Sequence, residues 1–306
     1  MSKVDDFERL RPLLFAIAYR ILGSVSEAED AVQETWLRWE QSTTPVRSVK
    51  DFLAATVTRI SIDVLRSARR QRETYPGPWL PEPLLDDPYV DPARAAELAD
   101  SLSTAALVLL ERLSPLERAV FVLRDVFGFG FADIATTVGR SEDACRQLAV
   151  RARNHMKDSR PRFEADRAGR DALAARFFDA LQDGDVDRLR QLLAADVVAI
   201  GDSGGKAPAL AKGVSGNRNV ARALASIFAK LAAVEASVQP RQINGQLGAI
   251  VYDRDGDIVT TMTIDAGAEQ IQTIRFVLSP DKLSHLGPVA DPWEFAARAA
   301  QIGKRR

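Results

Sequence analysis

Six prolines fall within eighteen residues, in Tyr75-Pro76-Gly77-Pro78-Trp79-Leu80-Pro81-Glu82-Pro83 and then at Pro88 and Pro92. Each one removes a backbone donor and pushes the residue before it out of the helical region, so no continuous helix can cross this stretch. Whatever the chain builds on one side is joined to the rest by an extended connector. With 306 residues, 46% of them hydrophobic, the chain is long for one core and supports two or three domains.

Before the break the periodicity is helical. Phe7, Leu10, Leu14, Ile17 and Ile21 recur at three- and four-residue intervals and predict an amphipathic helix ending near Gly23. Ser26-Glu27-Ala28-Glu29 reads as a capping box that opens the next helix. On it Val32, Trp36 and Trp39 form the buried stripe, while Glu27, Asp30 and Glu34 line another side and leave an acidic face for a partner. After a loop containing Pro45, Leu53, Val57, Ile60 and Val64 mark a third helix, with Arg59, Asp63, Arg66 and Arg70 on a second face. Thr58 to Arg72 holds five arginines against one aspartate, so this helix is basic. An acidic helix beside a basic one implies two partners of opposite charge, although either face taken singly is what solvated helices ordinarily show. The net charge of −1 hides this segregation.

After the break the pattern is helical again from Leu107 to about Lys157. Ser114 before Pro115 is an N-cap with proline at the first helical position. Phe131 to Val138 reads as a short helix, Gly139 as its turn and Ser141 as a new N-cap. This is a helix-turn-helix pattern, a spacing also found in ordinary bundles. In a DNA reader the second helix, Glu142 to about His155, would face base edges with its N-terminal residues, making Arg140, Ser141, Arg146, Gln147, Arg151 and Arg153 the candidate contacts. Cys145 between them reads as a small packing residue and His155 as a surface residue.

More than 140 residues follow Arg162. Phe177, Phe178, Leu181, Leu189, Leu192 and Leu193 predict two helices around Gly184-Asp185, and Val220 to Leu231 a third. Strands are predicted at Val234–Ile243, Gly248–Asp253, Ile258–Ile264 and Ile271–Leu278, with turns at Asn244-Gly245 and Asp255-Gly256-Asp257. Helices first and antiparallel strands afterwards indicate an α+β domain, a curved sheet closing over helices.

The segment Ser26 to Arg38, with what precedes and follows it, resembles the polymerase-binding segment of bacterial sigma factors of the extracytoplasmic-function group. The resemblance implies that Glu27, Asp30, Gln33, Glu34 and Arg38 meet the clamp helices of the largest subunit of RNA polymerase core. It further implies that Arg59, Asp63, Arg66, Arg69 and Arg70 meet the promoter −10 element, with loop 41–51 receiving a flipped base. Where many members carry an asparagine four residues before the helix aspartate, this chain has Arg59. The helix-turn-helix is similar to the family's −35-binding domain. Trp79-Leu80-Pro81-Glu82-Pro83 matches the linker motif of the subgroup that carries a C-terminal SnoaL-like (nuclear-transport-factor-2-like) domain. Asp202-Ser203-Gly204-Gly205-Lys206 resembles that subgroup's D-G-G-G-K element and Ser279-Pro280-Asp281-Lys282 its N-P-D-K element. The fold class implied is multidomain: two all-α domains, a sigma-2 bundle and a sigma-4 helix-turn-helix, followed by an α+β SnoaL-like cone. The boundaries expected are 1–74, a linker over 75–104, 105–162, 168–287 and a tail over 288–306.

Trp79, Leu80, Pro81, Glu82 and Pro83, with Asp202, Gly204, Gly205, Lys206, Asp281 and Lys282, are the residues expected to form a regulatory interface. A small-molecule ligand is the additional partner that such a cone accommodates. One cysteine and two histidines exclude a disulfide within the chain and argue against cysteine or histidine metal sites. No basic cluster followed by an apolar run opens the chain and no run of about 18 apolar residues occurs, so a cytoplasmic protein without membrane contact is expected. His285 reads as structural or solvent-facing, no Asp-His or Ser-His pairing is visible in the extension, Asp202, Asp253 and Asp265 are carboxylates that could enter a pocket, and a regulator without catalytic residues, cofactor or metal is the preferred reading. Two alternatives stay open at this stage. A DNA-binding regulator that never joins polymerase would not need the acidic face, and an enzyme fused to a DNA-binding sensor would show turnover in its C-terminal domain.

Overall fold

The computed structural model describes residues 2–43, 45–158, 167–208, 213–267 and 269–303, with the side chains of 68–73, 96, 158, 167–168 and 302–303 outside the description. The chain divides into two compact units. Met1–Thr74 with Asp86–Arg160 forms one, and Tyr75–Leu85 with Pro161–Arg306 the other. The proline-rich connector is therefore divided: residues 75–85 belong to the C-terminal unit and those from Asp86 onward to the N-terminal one. This differs from the one continuous linker expected over 75–104, and helix α4 (Ala95–Leu102) lies within that span.

In the N-terminal unit α1 (Lys3–Leu22), α2 (Val25–Gln41) and α3 (Val49–Glu73) pack on one another around Leu14, Ile17, Ile21, Leu53 and Val57, all fully buried. A capping box between Ser2 and Asp5 starts α1, and Gly23, at φ 71°, ends it in the left-handed region that a side chain resists. That sharp reversal moves the start of α2. Its N-cap is Ser24, whose Oγ accepts from the Glu27 amide at 3.1 Å, and not Ser26 as expected. Glu29 instead reaches Arg11 on α1 at 3.0 Å.

The same unit continues through α4, α5 (Thr104–Leu110) and α6 (Pro115–Phe121), which passes into a π-helical turn over Val122–Val126, then α7 (Phe131–Val138) and α8 (Glu142–Asp158). Ser114 and Glu117 form a complete capping box at α6, with Pro115 at the first turn, as predicted. Gly139 at φ 64° caps α7, and Ser141 caps α8 by accepting from the Ala144 amide at 3.2 Å. Helix α3 packs on α6 and α7, and α1 on α6 and the π-turn. Two arginines are fully buried where these helices meet. Arg20 donates to Ser101 Oγ at 2.8 Å, to Asp87 at 2.8 Å and to the Leu98 carbonyl at 3.0 Å, and Arg118 donates to the Arg20 carbonyl at 3.1 Å.

In the C-terminal unit α9 (Arg167–Gln182), α10 (Val186–Leu192) and α11 (Asn217–Ala233) accompany a six-stranded sheet. Its strands are β1 (Leu193–Asp202), β2 (Val214–Ser215), β3 (Ser237–Ile243), β4 (Gln246–Tyr252), β5 (Ile258–Ala266) and β6 (Ile271–Val277), in the order β2-β1-β6-β5-β4-β3. Phe177, Leu189 and Leu224 from the helices share a core with Ala199, Ala249, Met262 and Ile274 from the sheet. Strands β1 and β2 were not expected, and Leu193 opens a strand where a helix was predicted. Strand β1 pairs with β6 in parallel, so the sheet is not purely antiparallel. The β3–β4 hairpin turns at Asn244 and Gly245, φ 53° and 69°, the residue pair predicted for it. Short helix α12 (Pro280–Leu283) follows β6, and α13 (Pro292–Gly303) packs on α11 where only a tail was expected.

Candidate functional site

Four places carry the candidate residues, three of them helix surfaces of the N-terminal unit and the fourth a strand end of the C-terminal unit. On α2 the buried stripe of Val32 and Trp39 turns Asp30, Gln33 and Arg38 to solvent, while Glu27 and Glu34 are half-buried. Glu34 accepts from Arg38 one turn later at 2.8 Å, so Asp30 is the carboxylate on this face most open to a new cation. Leu37 stands exposed among them.

On α3, Ile60 and Leu65 are buried, and Arg59, Asp63 and Arg66 are exposed, with Arg66 3.3 Å from Asp63. Arg69 and Arg70 lie among the residues whose side chains are outside the description. Arg59 is engaged: its Nε donates to the Thr137 carbonyl and its Nη2 to the Thr136 carbonyl, both at 2.8 Å, at the end of α7.

On α8, Cys145 and Leu148 anchor the helix in its bundle, and burial pushes the Cys145 thiol pKa up, away from thiolate chemistry. Arg140 and Gln147 are exposed, as is Arg146, which bonds Glu142 at 2.8 Å and lies over the Phe131 ring. Arg151 reaches Glu117 at 3.3 Å. Arg153 is half-buried and turned inward to Asp125 at 2.8 Å, away from the helix face that Arg146 and Gln147 share.

In the C-terminal unit residues 75–85 form a strap gripped by the ends of β1, the β3–β4 turn and α12. Asp202 closes β1 with its side chain wholly buried, and a charge there needs every lone pair satisfied. It accepts from Tyr75 Oη at 2.6 Å, from the Leu80 amide at 2.7 Å, from the Gly204 amide at 3.2 Å and from Lys282 Nζ at 2.7 Å. Lys282, nearly as buried, also donates to the Leu80 carbonyl and sits 4.2 Å from the centre of the Trp79 ring and 4.9 Å from that of Tyr75. Burial, reinforced by the bond to Asp202, raises the Tyr75 phenol far above its ordinary range.

Further along the strap, the backbone N–H of Asn244 donates to the Leu84 carbonyl at 2.7 Å and its side-chain Oδ1 accepts from the Leu84 amide at 3.3 Å, while His285 bonds the Pro83 carbonyl at 2.7 Å. The glycines have a reason here. A Cβ on Gly204 would stand 2.8 Å from Tyr75 Oη, and one on Gly205 3.1 Å from Pro76. Lys206 and Asp281 form an exposed pair at 2.6 Å beside them.

Residues 7–71 match the model for Sigma-70 region 2, residues 103–156 that for Sigma-70, region 4, and residues 174–278 that for a SnoaL-like domain. The chain is 36% identical over 293 residues to ECF RNA polymerase sigma factor SigJ of Mycobacterium tuberculosis, covering 92% of this chain and 93% of that protein. This chain belongs to the extracytoplasmic-function sigma factors. The crystal structure of SigJ superposes with a TM-score of 0.73 at 34% identity, covering 92% of this chain and 98% of that one. A probable sigma factor of the same organism, SigI, is 36% identical over 188 residues, 60% of this chain and 64% of its own length.

Within this sigma factor the strap motif and the two loop motifs, far apart in sequence, meet at Asp202 and Lys282. Trp79 and Leu80 lie directly on that pair, and Pro81, Glu82 and Pro83 are buried beyond it. Sequence reasoning did not single out Tyr75, Asn244 and His285 for this site. A tyrosine opening the proline stretch was the available signal for Tyr75; Asn244 was read only as a turn residue, and His285 as structural or solvent-facing. Asp253 and Asp265 serve the fold: Asp253 accepts from the Asp255 and Asp257 amides in the β4–β5 turn, and Asp265 pairs with Arg275. No group of three or more metal-ligating side chains occurs among the described residues, and none of their helices is long and apolar enough to cross a membrane.

Proposed function

We propose that this sigma factor is regulated in cis by its SnoaL-like domain, through the strap that joins its two sigma regions. In this reading α2 offers Asp30, Gln33, Glu34 and Arg38 to the clamp helices of polymerase core. The exposed face of α3 meets the −10 element, and the start of α8, with Arg140, Ser141, Arg146 and Gln147, meets the −35 element, arginines neutralising phosphate while side chains at the helix start choose bases. Arg153, held inward by Asp125, is assigned a supporting part.

The observation that carries the regulatory reading is the buried Asp202–Lys282 pair closed over the Leu80 peptide. It ties the C-terminal fold to the one segment whose length separates the −10 and −35 readers. Strap held and strap released give the two readers different reach, and this equilibrium is where the third domain acts. The domain works by binding, with no bond chemistry; a small ligand in it would act by shifting the same equilibrium.

Co-elution of the purified chain with RNA polymerase core tests the first part. Reversing Asp30 and Glu34 together to lysine is expected to abolish it, and retained binding would move the core interface off α2. Run-off transcription with Asp202→Asn tests the second part. Its output is expected to change at equal holoenzyme concentration, and output equal to that of the unaltered chain would exclude the strap as the route of regulation.

A further inference from the structure

The guanidinium assigned to the −10 element is occupied. Arg59 spans two carbonyls in the last turn of α7, those of Thr136 and Thr137, with two 2.8 Å bonds, and so serves as a C-terminal cap to the first helix of the helix-turn-helix. Those carbonyls sit at the negative end of the α7 dipole, where a cation is favoured. The contact holds α3 directly against α7.

That arrangement is incompatible with reading a promoter. Elements named for positions 25 base pairs apart lie on the order of 85 Å apart along B-form DNA at 3.4 Å per base pair. Helix α8, the −35 reader, is 17 residues long, about 25 Å, and its preceding helix α7 is in hydrogen-bond contact with α3. No rotation within so short a reach lets both helices read their elements together.

We infer that Arg59 is a latch: it holds the two sigma regions closed in the free protein, and the same side chain becomes available to DNA only when they separate. The inference rests on the reading of α3 and α8 as the two promoter readers. It adds a residue whose release couples opening to promoter contact, because α7 and phosphate compete for one guanidinium. Arg20 on α1 and Arg118 on α6 are fully buried and form a second seam among α1, α4 and α6, whereas Arg59, exposed at the rim between α3 and α7, can exchange partners without unfolding anything.

The test is a titration with polymerase core in the absence of DNA, so that loss of a DNA contact cannot contribute. Dyes placed by Arg9→Cys on α1 and Val150→Cys on α8, both exposed positions, report the separation of the regions in the full chain, and Cys145 is buried from labelling. Energy transfer is expected to be high in the free protein and to fall as core is added. When the competent form is the minor one, apparent affinity scales with its population. Arg59→Ala, which removes two charge-assisted bonds from a solvent-exposed site, is therefore expected to lower the core concentration at half-opening about tenfold, with Arg59→Lys intermediate. An unchanged midpoint in Arg59→Ala overturns the latch, and so does transfer that stays high in a complex shown by co-elution to have formed. Absence of co-elution is a different failure, that of the polymerase reading itself; in that case low transfer in the free chain, or transfer unmoved by Arg59→Ala in mild urea, overturns the latch independently.

Discussion

Replacing Lys282 with methionine keeps much of the side chain's length and removes its charge, so it isolates the grip on the strap. Lys282 gives up the 2.7 Å bond to Asp202, the bond to the Leu80 carbonyl and the cation over the Trp79 ring. Removing one partner of a buried pair typically costs about 3–5 kcal/mol. Asp202 retains Tyr75 Oη, the Leu80 amide and the Gly204 amide, and hydrogen bonds to a charged group contribute about 1.5–3 kcal/mol each, which places the cost near the lower end, ~3 kcal/mol. Because two of the three lost contacts, those to the Leu80 carbonyl and the Trp79 ring, join α12 to the strap, the cost appears as local release. At 1.4 kcal/mol per factor of ten, the Leu80, Leu84 and Asn244 amides are expected to exchange with deuterium roughly 100-fold faster. Mass spectrometry of peptides covering 75–85 and 243–246 reads this, with the central strand β5 (Ile258–Ala266) as the control. Wild-type protection of the strap peptides would refute the grip, and equal loss in β5 would make Lys282 a residue of the whole fold and not of the strap.

Other outcomes follow from the same geometry. Gly204→Ala sets a Cβ at φ 56° against Tyr75 Oη and is expected to weaken strap docking by about 1–2 kcal/mol, read by the same exchange experiment. Tyr75 has its phenol raised in the docked form, so above the ordinary tyrosine value of about 10 the released form ionises first; docking is expected to be constant from neutral pH to about pH 10 and to fall above it. Tyr75→Phe should remove that alkaline fall, measured by strap exchange across the range. Arg20→Ala leaves Asp87, Ser101 and the Leu98 carbonyl without their buried donor. A loss of about 3–5 kcal/mol and a Tm lower by about 10 °C in calorimetry are expected for the N-terminal unit.

The local code was legible along most of the chain. Gly139 and Ser141 marked the turn and cap of the helix-turn-helix, Ser114-Pro115 the start of α6, and Asn244-Gly245 the hairpin, because each depends on backbone preferences of one or two residues. The cap of α2 was misplaced by two residues because Gly23 reverses the chain earlier than the Ser26 box alone implies. Strand β1 escaped because Leu193-Ala194-Ala195-Asp196-Val197-Val198 follows a helix with no glycine or proline between them, leaving pairing with β6 to make the strand. Periodicity has no term for such a partner.

The residue types of the interfaces were likewise legible: an acidic α2, a basic α3, a recognition helix and three motifs in order. What tertiary structure alone decided is which of those charges remain free. Arg59 and Arg153 read as DNA contacts, yet one caps α7 and the other faces Asp125, since a guanidinium takes whichever carbonyl or carboxylate the fold brings within reach. Asp202 read as the first residue of a glycine-rich motif, yet it is a fully buried strand end, because only the folded sheet places Lys282, Tyr75 and the Leu80 amide around one carboxylate. Sequence determined the helices, caps and turns by short-range sterics and hydrogen bonding; the strap site is held by contacts between residues 80 to 202 positions apart, which burial creates and no local pattern encodes.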